Sequence, residues 1–262
     1  MKEIEYKILR NKNKIEKVYK NFKLQKDFED WHLASLSKLY YDLGYCYLVK
    51  NDLIESKKSF NTGSYIDIYL TKNYNKSHSR FLGFDIQRGV LPVLTDNQKL
   101  IDMYSKLRYQ KGANAELSMD EMVLKGESAI WCNTVQFFMA NDTQGVERNL
   151  NIIETLTLPK LPKNQQELKL DYEFYKALLS KDKSKCEEIL EQLVSPKVHK
   201  KRNDNPILNK YVSQPALGYA KLAWRQGIEV EVNSPLVPKE ILPIEPLDNY
   251  EIPYDFLKDE IL

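Results

Sequence analysis

Residues 35–64 read SLSKLYYDLGYCYLVKNDLIESKKSFNTGS, and their spacing predicts two helices joined by a tight turn. Leu39, Leu43, Cys46 and Tyr47 recur at the i, i+4, i+7 and i+8 positions of one helical face. Asn51 and Asp52 interrupt that pattern. Asp52, with Glu55 three residues on, is a capping-box-like start for a return helix expected to end near Phe60.

The same unit fits the tetratricopeptide pattern, because Tyr40, Leu43, Gly44, Tyr47, Ser56, Phe60 and Gly63 fall where that repeat places large, small and aromatic residues. Its shape returns twice in weaker form. Trp131, Val135, Phe138 and Met139 share a face, Asn141 and Asp142 make a turn, and Val146 and Leu150 lie on the return. Leu178 and Leu179 then precede Lys181 and Asp182, with Cys186 and Leu190 following. Aligning the turns matches Ser56 with Val146 and Cys186, and Phe60 with Leu150 and Leu190. The offsets are unequal, so an insertion follows the first unit and the array is irregular.

Outside these units, Ser118 with Glu121 and Asn164 with Glu167 fit the capping box, and Thr95 or Asp96 is expected to start a helix through Leu107. Not one of the eleven prolines precedes Pro92, which favours long early helices, whereas five fall between Pro235 and Pro253. Only Ile228–Val232, IEVEV, alternates like a strand or an extended edge. The expected fold is all-α: an irregular array of antiparallel helical hairpins, tetratricopeptide-like in part, with at most one short strand. Residues 1–262 are expected to form one helical domain, on which an extended, Pro-rich, acidic tail (233–262) packs.

A chain of 262 residues, 42% apolar and 29% charged, can bury a core without disulfides or metals, and disordered or collagen-like readings fall away. No apolar run reaches the length of a membrane span, and the first residues are charged where a signal peptide is apolar, so a cytoplasmic protein is expected. Cys46, Cys132 and Cys186 are widely separated and read as buried thiols, and His32, His78 and His199 form no metal-ligand spacing. Phosphate-cradling glycine loops, zinc-hydrolase motifs and nucleophile elbows are all missing, so no cofactor or metal is expected and binding outranks catalysis.

The net charge of +2 is unevenly spread. From Glu229 onward nine acidic residues face two basic ones, a net of −7 that leaves +9 on residues 1–228. Basic runs at Lys12, Lys14, Lys17 and Lys20, and at Lys197, His199, Lys200, Lys201 and Arg202, lack the interleaved aromatics of a single-stranded nucleic-acid site. They read as a solvated helix face and a loop, and nucleic acid is not an expected partner. The seventeen tyrosines, several of them on the first hairpin, read chiefly as core residues with an exposed hydroxyl.

Residues 213–242, SQPALGYAKLAWRQGIEVEVNSPLVPKEIL, form the most specific stretch. Ser213 and Pro215 suit a helix start, Ala216, Ala220 and Ala223 make a small-residue face ending at Trp224, and Gly227 suits a left-handed stop. Beyond it, prolines hold the chain extended, with Leu236, Val237, Ile241 and Leu242 as anchors.

Pro215, Ala216, Leu217, Gly218 and Ala220, then Gly227, Ile228 and Val230, then Ser234, Pro235, Leu236, Pro238 and Leu242 resemble the C-terminal signature of the immunity protein 49 family. That resemblance implies a mostly helical bacterial protein, encoded beside a polymorphic toxin, that protects its producer by binding the cognate toxin. It carries over no catalytic residue, and the matched positions read as packing and turn residues. If the toxin is a nuclease with a basic groove, the acidic tail would imitate a polyanion. The expected contact residues are Glu240, Glu245, Asp248, Glu251 and Asp255, with Asp259 and Glu260 in the same segment. The alternative is a tetratricopeptide-like adaptor without a toxin partner, which a groove lined by Asn, Lys and Arg would favour. A deep pocket of convergent carboxylates would instead favour an enzyme.

Overall fold

With no proline to break them, the first three helices run long: α1 (Lys2–Leu24), α2 (Asp30–Val49) and α3 (Leu53–Asn73). The computed structural model describes residues 1–24, 30–112, 116–203 and 205–260. Shorter helices follow: α4 (Ile86–Gly89), α5 (Gln98–Ser105), α6 (Met119–Leu124), α7 (Ala129–Met139), α8 (Thr143–Ile152), α9 (Lys169–Leu179), α10 (Lys183–Val194), α11 (Pro196–Arg202) and α12 (Gln214–Arg225). Among the described residues there is no strand or sheet, and the fold is all-α.

Three hairpins, α2–α3, α7–α8 and α9–α10, turn in the same way. Asn51, Asn141 and Lys181 each adopt a left-handed conformation, with φ of 60°, 54° and 59°. The residue after each is an aspartate: Asp52, Asp142 and Asp182 accept from the backbone N–H of Glu55, Gly145 and Lys185 at 3.1, 2.9 and 2.9 Å. Each aspartate's own N–H reaches back to close the preceding helix, onto the carbonyls of Tyr47, Phe137 and Ala177, all at 2.9 Å. One residue thus stops one helix and caps the next, which is why so short a turn suffices.

The aligned positions on the return helices carry the packing. Ser56, Val146 and Cys186 are buried, as are Phe60, Leu150 and Leu190. In the first hairpin the Phe60 ring lies on Gly44, where an added Cβ would stand 2.8 Å from it, and Ser56 Oγ donates to the Gly44 carbonyl at 2.8 Å. Helix α3 runs on to Asn73 rather than ending near Phe60, because Tyr65, Ile66, Ile68 and Leu70 extend its buried face past Gly63. One buried apolar cluster extends from Ile4 in α1 to Leu257.

Several local expectations yield to tertiary context. IEVEV is extended without a strand partner: the N–H groups of Glu231 and Asn233 donate to the carboxylates of Glu187 and Glu191 on α10, at 2.8 and 2.7 Å. Side chains replace the neighbouring strand, while Ile228, Val230 and Val232 are buried. Helix α5 is capped by Asn97, with Thr95 Oγ1 accepting from the Asn97 N–H at 3.0 Å. Asn164 and Glu167 lie in a 3₁₀ turn with no side-chain cap, and Glu167 pairs with Lys201. The second basic run forms α11, not a loop. Ser213 leaves its hydroxyl unpartnered, and Asn203 Oδ1 takes the N–H of Gln214 at 2.8 Å instead.

Candidate functional site

The signature residues build a helix and a strap rather than a surface. Pro215, Ala216, Leu217, Gly218 and Ala220 are all buried in α12. At Gly218 an added Cβ would stand 2.2 Å from Val90 Cγ2, so the small residue sets how closely α12 approaches the turn at Val90. Gly227 has φ 76°, and the Ile228 N–H closes the helix on the Ala223 carbonyl at 2.9 Å. Beyond it, Val237, Ile241 and Leu242 are buried and Leu236 half-buried; Pro238 is half-buried and Pro235 exposed.

The strap is held by an ion cluster that no local sequence pattern announces. Asp96, left-handed with φ 58°, is fully covered at its carboxylate. Lys221 Nζ lies 2.7 Å from it, Lys57 Nζ 2.9 Å and Arg225 Nη1 3.5 Å. Three cations around one carboxylate leave positive charge in excess, and a buried charge needs further polar partners. The strap supplies them. Lys221 donates to the carbonyls of Ile241 at 2.7 Å and Pro243 at 2.8 Å, and Lys57 donates to that of Glu245. The Glu245 N–H in turn donates to Asp96 at 3.2 Å. Burial pushes Lys221 down to about 8, against the pull of Asp96.

Further along, Tyr254 is buried, its hydroxyl 2.8 Å from that of Tyr40 on α2 and its ring 4.5 Å from Tyr19 on α1. The acidic residues expected to meet a partner sit between and beyond these anchors. Glu240, Glu245, Asp248, Glu251 and Asp255 are all exposed, and Asp255 accepts from Lys258 at 2.6 Å. The side chains of Asp259 and Glu260 lie outside the described residues.

On another face, α2, α4 and α11 enclose a cleft of about 630 Å³. Its floor includes Arg88 and Arg202, each bound to a buried aspartate. Arg88 Nε lies 2.8 Å from Asp67, which also accepts from Ser37 and Tyr41 at 2.6 Å. Arg202 grips Asp171 with both nitrogens at 2.6 and 2.9 Å. The cleft also holds two carboxylates. Asp42 takes Lys7 at 2.6 Å, and Asp85 accepts from the Arg88 N–H at 3.1 Å, its carboxyl raised by burial. These charged groups are engaged with the scaffold. Among the described residues, no group of three or more His, Cys, Asp or Glu is arranged to hold a metal ion.

Lys38 and Asp42 also line a neighbouring trough of about 410 Å³ between α1 and α2, with Tyr6, Arg10, Asn11, Lys14, Lys17 and Ile207. The lysines of α1 do not share one solvated face, since Lys12 lies over the Tyr47 ring at 5.8 Å while Lys14 and Lys17 line the trough. The periodicity of α1 was the available signal. Tyr6, Arg10, Lys14 and Lys17 recur every three or four residues beside the inward stripe of Ile4, Ile8, Asn11, Ile15 and Val18.

The cysteines and histidines serve packing or local contacts. All three cysteines are buried free thiols. His32 is buried and stacked on Trp31, and His199 Nε2 lies 2.7 Å from the Asn209 carbonyl. No helix among the described residues is long and apolar enough to cross a membrane.

Comparison with known families matches residues 90–241 to the family model described as immunity protein 49. That stretch runs from the turn against Gly218 through α12 to the first strap residues under Lys221. Neither the curated proteins nor the solved structures compared with the chain give a match.

Proposed function

The chain belongs to the immunity protein 49 family, and from that premise we propose that it neutralises a cognate bacterial toxin by stoichiometric binding that blocks the toxin's active site or substrate groove. The family match over more than half of the chain carries this reading. The toxin is of the polymorphic class, and the encounter takes place in the producer's cytoplasm. The exposed carboxylates of Glu240, Glu245, Asp248, Glu251 and Asp255 support a contact with a basic surface, such as the substrate groove of a nuclease. Their backbone is tethered at Asp96 and Tyr40, so that face is preorganised, which lowers the entropy lost on binding.

The test is co-expression with the toxin encoded by the neighbouring gene. Protection in the wild type, and a stable complex of the two chains on gel filtration, are expected. Reversing Glu240, Asp248 and Glu251 to lysine is expected to slow association at least tenfold at low salt. Unchanged protection and an unchanged rate would remove the acidic strap from the contact.

One observation favours the adaptor alternative: the trough between α1 and α2 is lined by Lys, Arg and Asn. Gene context separates the two readings, since an adaptor needs no toxin gene beside it.

A further inference from the structure

In the trough between α1 and α2, Arg10, Lys14 and Lys17 are exposed and make no hydrogen bond or ion pair with any described residue. Lys38 stands on the opposite wall, on α2. The one carboxylate lining the trough, Asp42, is already bound by Lys7 at 2.6 Å and has Asn205 at 3.4 Å. Arg10, Lys14 and Lys17 therefore line one groove without the acidic partners that neutralise surface lysines elsewhere, as Glu188 does for Lys185 or Glu3 for Lys210, whereas Lys38 also feels the carboxylate of Asp85.

Asn11 adds an independent observation. It is only 4% exposed, occupies the middle of the inward stripe of α1, lines the trough, and leaves its Nδ2 without a hydrogen-bond partner. A buried amide donor left unpaired is costly, so an acceptor that draws the covered Nδ2 of Asn11 outward into the trough recovers stabilisation that the free protein lacks. Carboxylate oxygen fits both demands, since it accepts from an amide and balances ammonium and guanidinium groups. The lining also includes apolar and aromatic residues: Tyr6 is 66% exposed, and Val18, Leu39 and Ile207 are half-buried.

We propose that this trough is a second contact surface, which takes an acidic, extended segment of the partner protein, two or three of its carboxylates meeting Arg10, Lys14, Lys17 and Lys38 while one accepts from Asn11. A volume of about 410 Å³ suits a few side chains of a peptide and falls at the small end of drug-sized sites. Tyr6 is the one ring lining the trough, and a single ring gives no stacking platform for the successive bases of a single strand. With the acidic strap on the α2–α3 side, the molecule then offers the toxin two patches of opposite sign. The identity of the partner rests on the immunity reading; the chemistry of the trough does not.

A fluorescein-labelled octapeptide of alternating Glu and Leu is the probe, titrated by anisotropy into the purified full chain at 20 and 150 mM salt. Wild type is expected to bind with an affinity that falls as salt rises. The Arg10→Glu, Lys14→Glu, Lys17→Glu triple variant is expected to lose at least tenfold, and Asn11→Leu severalfold with an unchanged salt slope. All four substituted side chains leave a melting curve to check folding. A thymidine oligonucleotide bound more tightly than the peptide, self-association lost in the triple variant, or peptide binding equal in wild type and triple variant would each overturn the proposal. Co-expression with the neighbouring toxin separates the two readings. Protection by the wild type that survives in the triple variant sinks the trough alone. Absence of protection by the wild type sinks the immunity reading and leaves the peptide titration to judge the trough.

Discussion

Lys221 and Asp96 meet ammonium to carboxylate at 2.7 Å, across 125 residues of sequence, with neither side chain reaching solvent. Asp96 ends the turn beneath α12, and Lys221 belongs to α12 itself, so the pair joins the insertion to the C-terminal helix. Through the carbonyls of Ile241 and Pro243 it also fixes the strap. Removing one member leaves the rest of a buried cluster with its charges redistributed.

Lys221→Met is therefore expected to destabilise the fold by about 1–3 kcal/mol, because the carbonyls of Ile241, Leu242 and Pro243 lose their donor while Lys57 and Arg225 still balance Asp96. Urea unfolding measures the loss. Hydrogen exchange is the sharper readout, because the Glu245 N–H bound to Asp96 should exchange faster than amides in α2. Uniform acceleration across all helices would show that the strap is not a separate unit.

Burial lowers Lys221 from the ordinary 10.5 to about 8, and the groups facing it are Asp96, Lys57 and Arg225. The unfolded chain keeps this proton to higher pH than the folded one, so the group's contribution to stability grows as pH rises from about 8 towards 10.5 and is least favourable below 8. The stability gap between wild type and Lys221→Met is expected to widen in favour of wild type between pH 7 and 9.5. A gap that stays constant, measured by urea midpoints, would refute the shift.

Gly218→Ala places a methyl 2.2 Å from Val90 Cγ2, inside van der Waals contact. Overpacking of this kind costs about 1–3 kcal/mol. The double variant with Val90→Ala should recover part of the loss, and a thermal melt of the three proteins checks the coupling.

Cys46, Cys132 and Cys186 are fully covered, and burial raises all three thiols, Cys46 to about 12 and Cys186 to about 11. Thiolate is the reactive form, so the native protein is expected to be inert to an aromatic disulfide reagent at pH 8 and to titrate three thiols once unfolded in guanidinium. A native thiol that reacts within minutes would contradict their structural role.

How much of this was legible beforehand follows the range of the physics involved. Asn51–Asp52, Asn141–Asp142 and Lys181–Asp182 were readable because a left-handed residue followed by a capping aspartate is local chemistry. IEVEV was readable as extended but not as unpaired, since alternation reports which side chains are covered and is silent about where the N–H groups go. Those went to Glu187 and Glu191, more than forty residues away. The ion cluster was out of reach for the same reason. Lys57 and Lys221 each sit in a helix whose local pattern assigns the lysine no partner, and only the folded chain brings Asp96 between them. The acidic residues of the strap were visible as charge, and their exposure follows from proline-held extended backbone. The trough was half legible: the periodicity of α1 aligns Tyr6, Arg10, Lys14 and Lys17, but only the register of α2 makes a groove beside them.

The tether at Asp96 also sets an order of events during synthesis. Lys57 leaves the ribosome long before residue 221, and residue 221 before the carbonyls of Ile241, Pro243 and Glu245 that complete its surroundings. Until that stretch emerges, two ammonium groups have to stay hydrated and α12 cannot seal against the turn at Val90. Nascent chains are therefore expected to stay open to proteolysis until residue 245 has emerged.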